Sequence, residues 1–132
     1  MLHERGVVQI KQIPYGVHTE VLSSLPEKTI EEPLRLVTVS RLAPNKRIED
    51  AIDTVACLKE LGLQTSLTII GSGAEASKLK SRIRQLPCAS DIRLAGALSE
   101  SEKDMALTQA HCLLHTSVRE GWGLNVIEAN AM

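Results

Sequence analysis

Aromatic residues are nearly missing from this 132-residue chain: one Trp, one Tyr and no Phe, 2% in all. Platforms on which nucleic-acid bases stack are built from such rings, so that class of partner has almost nothing to bind to. A surplus of charge is missing too. The 15 Lys and Arg stand against 16 Asp and Glu, for a net charge of −1, which argues against binders of nucleic acid and of anionic membranes. No stretch approaches the ~20 apolar residues that span a bilayer. Met1–Arg5 is polar and no long apolar run follows it, unlike a secretory leader. The cysteines are 3, at 57, 88 and 112, widely spaced and without a CxxC pair; reduced thiols in a cytoplasmic compartment are the expectation. What remains is a 43% apolar content carried by Leu, Ile, Val and Ala. That suits helices packed on a parallel sheet, at a length of one domain.

The pattern along the chain supports this. Residues 7–13 (VVQIKQI) alternate apolar and polar as a strand does, and run into a turn at Pro14–Gly16. A loose stretch at 23–33, rich in Ser, Pro and charge, reads as a linker. Two segments result, 1–33 and 34–132. In the second, Leu34–Ser40 predicts a strand, and Ile48–Leu61 a helix whose apolar face is Ile48, Ile52, Val55 and Leu58, closed by Gly62. Thr65–Ile70 predicts a strand and Ala74–Leu86 a helix stopped by Pro87. Ile92–Ala95 predicts a strand, then a helix through Ala110 opened by the capping box Ser99-x-x-Glu102. Cys112–Thr116 predicts a buried strand, and Leu124–Ala131 a last helix. Strands alternating with helices imply right-handed crossovers and a mostly parallel sheet between helical layers. Ligands of such sheets collect beyond the carboxyl ends of the strands, so the loops after Ser40, Ile70, Ala95 and Thr116 matter most.

Those loops carry the chemistry. After Thr116 come Glu120 and Glu128, with Gly121 and Gly123 between them. The glycines let a ligand approach the backbone, and the helix expected from about Gly123 would offer bare amides to phosphate. A solvated carboxylate pair beside an ordinary turn is the plainer alternative. After Ser40 come Arg41 and Lys46; Arg can fork onto a diphosphate and Lys can act as a point charge, although two surface cations need no ligand at all. Gly71-Ser-Gly-Ala-Glu-Ala76 fits the G-x-G-x-x-A dinucleotide pattern. The glycines follow the third strand rather than the first, and Asp91 precedes its strand, the wrong place to hold a ribose. A tight turn beside another ligand's site fits better than NAD. His111, Cys112 and His115 suggest a metal at first, but Cys112 would face away from both histidines in a strand.

Glu120-Gly-Trp-Gly-Leu-Asn-Val-Ile-Glu128 resembles the E-x7-E signature of retaining, family 4-type, nucleotide-sugar-dependent glycosyltransferases of the GT-B fold (glycosyl transferases group 1). Companions follow in order. Val39-Ser-Arg41 through Lys46 looks like the family's phosphate loop, Leu67–Gly73 like its strand and glycine turn, and Ile92–Gly96 like its next strand. Ile13-Pro-Tyr-Gly-Val-His18 resembles its interdomain segment, with Tyr15 where Asn is usual and His18 where Asp is usual.

The resemblance implies a Rossmann-like three-layer α/β domain, the C-terminal, donor-binding half of a GT-B enzyme, incomplete at its C-terminal end and without the N-terminal acceptor-binding domain. It implies transfer of a hexosyl group from a UDP- or GDP-sugar, with retention, through an oxocarbenium-like state, by the full-length protein and not by this portion alone. Arg41 and Lys46 would neutralise the diphosphate. Amides around Gly123, Leu124 and Asn125 would hold phosphate and sugar. Glu120 would accept hydrogen bonds from the sugar and Glu128 from the ribose. Gly71 and Gly73 would line the nucleotide cleft. No metal and no nucleic acid is implied; the setting is cytoplasmic, with room for the full-length enzyme at the inner face of the membrane. The alternatives are a non-catalytic module of the same fold and an NAD-binding domain.

Overall fold

A computed structural model describes Gly16, residues 28–30 and residues 32–132. The strand expected at 7–13 and most of the 23–33 stretch lie outside the described residues. Within them the chain alternates as its pattern predicts: β1 (Leu34–Val39), α1 (Ile48–Glu60), β2 (Thr65–Ile70), α2 (Ala76–Arg84), β3 (Ile92–Gly96), α3 (Glu100–Gln109), β4 (Cys112–Leu113) and α4 (Leu124–Asn130). The strands form one parallel sheet in the order β3-β2-β1-β4. This is a Rossmann-like α/β fold.

Side-chain alternation sorts the strands' residues between two cores. Leu36, Leu67 and Ile69 face one side, where Ile48, Ile52 and Val55 of α1 and Leu79 and Ile83 of α2 meet them. Val37 and Ile70 face the other, under Leu107 of α3. Fully burying an aliphatic side chain of this size contributes about 1.5–3 kcal/mol, so among the described residues the first core, with twelve buried members against four, contributes the larger share of burial energy. One buried polar atom is left over: Thr65, 1% exposed, has a hydroxyl with no hydrogen-bond partner among the described residues.

Element ends follow local chemistry. Gly62, at φ +85°, ends α1 in the left-handed conformation that suits a glycine. Ser99 and Glu102 cap α3 reciprocally, with the Ser99 side chain accepting from the Glu102 amide and Glu102 accepting from that of Ser99. Three expectations need correction. The second helix starts at Ala76 rather than Ala74, because the Glu75 amide donates to the Leu42 carbonyl (3.2 Å) and so turns the chain onto the neighbouring loop first. It ends at Arg84 rather than Leu86, in turn bonds from Gln85 to Arg82 and from Leu86 to Ile83.

The last strand is cut harder, to Cys112–Leu113, with Cys112 exposed. Its ladder continues one step, from the Leu114 amide to the Val37 carbonyl (2.8 Å), and stops. The next acceptor on β1, the Val39 carbonyl, is taken by the Asn125 side-chain amide at 2.8 Å.

The winding locates the crevice. α1 and α2 cover one face of the sheet and α3 the other. The chain after β1 therefore leaves toward one face, and the chain after β4 leads to α4, whose Ala129 packs into the opposite core. Adjacent strands whose following segments diverge open a gap at their carboxyl ends, where doubly wound sheets bind ligands.

Candidate functional site

The near wall of the crevice is the segment from Ser40 to Arg47. A glycine turn holds it from behind. A Cβ on Gly71 would lie 1.8 Å from the Ser40 carbonyl oxygen, and one on Gly73 2.2 Å from that of Leu42. No other residue permits so close an approach of two backbones. Leu42, 1% exposed, is pinned there, its amide donating to Ser72 (2.9 Å). A 3-10 turn, Pro44–Lys46, then carries Lys46 over the strand ends, and Arg47 at φ +49° redirects the chain into α1.

The far wall is the segment between β4 and α4, and it is stitched to the first. The Thr116 hydroxyl donates to the Lys46 carbonyl (2.8 Å), and the Val118 amide to that of Asn45 (3.0 Å). Across this seam the Lys46 ammonium bonds the Glu120 carboxylate, with the His115 ring nitrogen 3.7 Å away. The Lys46 hydrogen bond, then one from Ser117, holds the Glu120 carboxyl below its ordinary pKa of 4.5, so it is ionised at neutral pH.

Asn125 closes the floor. Besides bonding the Val39 carbonyl, it accepts from the Val126 amide (3.1 Å), which fixes the first turn of α4 against β1. The walls enclose an open cleft of about 290 Å3 between Ser40, Lys46, Glu120, Trp122, Gly123, Leu124 and Asn125. Trp122, 67% exposed, stands at its edge.

Glu128 has a partner of its own. Lys103 of α3 reaches it at 3.1 Å and also bonds Glu100 at 2.6 Å. The Lys103 side chain is only 13% exposed. Burial opposes its charge, but the two carboxylates outweigh that and raise its pKa.

Of the residues singled out from sequence, Lys46, Glu120, Gly123, Leu124 and Asn125 converge on one cleft. Gly121 is exposed in the far wall. Arg41 is exposed and stands outside the lining, and Gly71 and Gly73 pack behind the near wall rather than line the cleft. Glu128 lies one helical turn beyond Leu124. Sequence reasoning missed Trp122 and Lys103. A lone Trp between two glycines at a strand-to-helix loop was a usable signal; nothing local marks Lys103.

The competing readings find little. Asp91 pairs with Lys59 at 2.7 Å, away from the glycine turn. The His111 ring meets Arg35, whose amide donates to it at 3.1 Å. Among the described residues no three His, Cys, Asp or Glu gather as metal ligands, and no helix is long and apolar enough to cross a membrane. A second cavity of about 270 Å3 lies under α3, beside Arg35, Ser66 and Arg93. Its Arg35 is already bound to the Gln109 carbonyl at 2.7 Å, and no residue of the Ser40–Arg47 or β4–α4 segments lines it.

Residues 24–132 match the sequence model of a family described as Glycosyl transferases group 1. The UDP-N-acetylglucosamine--peptide N-acetylglucosaminyltransferase GtfA subunit of Streptococcus agalactiae is 32% identical over 126 residues, which cover 92% of this chain and 24% of that protein. The crystal structure of the pneumococcal O-GlcNAc transferase GtfA in complex with UDP and GlcNAc superposes with a TM-score of 0.66 at 33% identity, covering 76% of this chain and 19% of that one. The apo lipopolysaccharide outer core galactosyltransferase WaaB shares the fold, with a TM-score of 0.70 at 24% identity over 98% of this chain and 37% of that one. The chain spans about a quarter of the length of the GtfA relatives it matches.

Proposed function

The chain belongs to the glycosyl transferases group 1 family, and from that premise we propose that it forms the donor-binding part of a retaining glycosyltransferase of the family 4 type. The observation that carries this reading is the meeting of Lys46 and Glu120 across the mouth of the β1–β4 crevice. A nucleoside diphosphate sugar has one group for each of them. Its diphosphate is a better partner for the ammonium than a single carboxylate, and its sugar hydroxyls are donors for the carboxylate so released.

In this mechanism Lys46, joined by Arg41 once its exposed side chain swings inward, stabilises the charge that grows on the leaving diphosphate as the glycosidic bond breaks. The Glu120 carboxylate accepts from a hexose hydroxyl and orients the ring. Backbone amides at Gly123–Asn125 flank the phosphate, Glu128 accepts from the ribose, and Gly71 and Gly73 hold the near wall in register. The sugar passes through an oxocarbenium-like state and is delivered with retention. Glu120 and Glu128 are not an acid–nucleophile pair of the hydrolytic kind, since they serve different parts of the donor. Likeness to the pneumococcal transferase, whose crystals hold UDP and GlcNAc, favours a UDP-sugar as donor. The acceptor belongs to a part of the enzyme beyond this portion, in keeping with its share of its relatives' length.

Calorimetric titration of the chain with UDP and GDP tests the reading. Binding that depends on the diphosphate is expected. Lys46→Ala should weaken it about tenfold or more, the worth of a hydrogen bond to a charged group, and Arg41→Ala should weaken it as well. Folded protein that binds neither nucleotide, or variants that bind as well as the parent, would overturn it.

A further inference from the structure

Each acid of the Glu120/Glu128 pair is met by a lysine from a distant element: Glu120 by Lys46, and Glu128 by Lys103, 25 residues earlier in the chain. The second pairing belongs to no motif. We infer that Lys103 is a positioning residue of the donor site, which orients the Glu128 carboxylate for the ribose; this rests on the role given to Glu128 above.

Three observations support it. The first is the weak anchoring of α4. The helix has 7 residues and none of them is buried. Short helices of this kind take their stability from tertiary contacts, and among the described residues the polar tethers from α4 are Asn125 at its start, to Val39 and the His115 ring, and Lys103 at Glu128. Asn125 fixes the first turn, and Lys103 fixes the second.

The second is direction. Leu124 lines the cleft, and residues four apart share a helix face, about 6 Å along the axis. Glu128 therefore lies on the same side of α4 as Leu124, one turn further from the cleft. Lys103 bonds its Oε2, and Oε1 has no hydrogen bond among the described residues, so an acceptor remains for a ligand hydroxyl.

The third is charge. A bare carboxylate beside the entry path of a diphosphate repels it. An ammonium on Oε2 offsets that repulsion and leaves Oε1 available as an acceptor. Lys103 does this with a side chain only 13% exposed, while its other partner, Glu100, is 82% exposed. Glu100 is the nearer partner, at 2.6 Å, but is a surface i,i+3 contact; Glu128, 24% exposed, is the more buried of the two.

The test compares UDP with 2′,3′-dideoxy-UDP, by titration of the whole chain. The parent should prefer UDP about tenfold, from the hydrogen bonds between hydroxyls and a charged acceptor. Lys103→Met should bring that preference within about threefold, Lys103→Arg should restore most of it, and Glu100→Gln should leave it alone. Loss of affinity for both nucleotides with the preference kept would show a merely structural role and overturn the inference. If Lys103→Met does not fold, Lys103→Leu, which likewise removes the donor and the charge, is read in the same way. Glu128→Gln separates the two levels. A parent without preference, or a Glu128→Gln variant that keeps it, defeats the role of Glu128 itself. A Glu128→Gln variant that loses the preference while Lys103→Met keeps it defeats the inference about Lys103 alone.

Discussion

Replacing Gly71 by Ala should damage this protein far more than replacing Gly62, although both glycines adopt positive φ. At Gly62 (φ +85°) an added Cβ meets nothing within 4 Å, and the cost is the left-handed conformation alone, about 1–2 kcal/mol. At Gly71 (φ +136°) the same methyl lands 1.8 Å from the Ser40 carbonyl oxygen. Both sides of that collision are backbone, so no rotamer relieves it, and the two segments must separate by more than an ångström. The Leu42-to-Ser72 and Gly71-to-Gly96 hydrogen bonds, at 2.9 and 2.7 Å, lie on the segments that move. Conformational strain of about 1–3 kcal/mol and two weakened hydrogen bonds at about 1 kcal/mol each give a loss of about 3–5 kcal/mol. Domains of this size have only about 5–15 kcal/mol to lose. With a urea slope of about 2 kcal/mol/M, the unfolding midpoint should fall by about 2 M for Gly71→Ala and by about 0.5–1 M for Gly62→Ala. Equal shifts in the two variants would refute the claim that the glycine turn exists to let two loops touch.

Two further outcomes follow from the described interactions. Thr65→Val removes a buried hydroxyl that lacks a partner and keeps the shape of the side chain. It should leave stability unchanged or raise it by up to about 2 kcal/mol, and a loss beyond 1 kcal/mol in the same urea assay would mean the hydroxyl is bonded after all. On the acid side, Glu49, Glu102 and Glu120 all titrate below 4.5 in the folded chain, held down by Lys78, Ser99 and Lys46 respectively. The unfolded chain takes up these protons first. Their contribution is therefore complete above pH ~4.5 and disappears as pH falls through the lower folded values. Thermal melts from pH 6 to pH 3 should show that decline, less steeply in Glu120→Gln; parallel curves for parent and variant would count against the Lys46 pairing.

Much of this was readable from residue order, where the signal is local. α1 begins at Ile48 and β2 runs from Thr65 to Ile70 as expected, because helical spacing and β-branched runs are properties of neighbours in sequence. The capping box at Ser99 is equally local. Two of the errors lie where a remote group competes. α2 starts late because Leu42, more than thirty residues earlier, offers Glu75 an acceptor. β4 ends early because an asparagine side chain from α4 occupies the next site on β1. The site divides in the same way. Lys46 and Glu120 announce themselves in their loops, but that they touch is a product of strand order. Lys103 looks like any helix-surface lysine until α3 and α4 are packed side by side.

The position of Trp122 gives the protein its own optical probe. It is the chain's single indole, it is mostly open to water, and it stands on the rim of the cleft. Fluorescence excited at the red edge of protein absorption therefore originates at one place, the lip of the cleft proposed above to take the nucleotide. Quenching or a blue shift on mixing would report arrival there without any label, and the distance dependence of that signal could rank ligands by how far they reach across the opening.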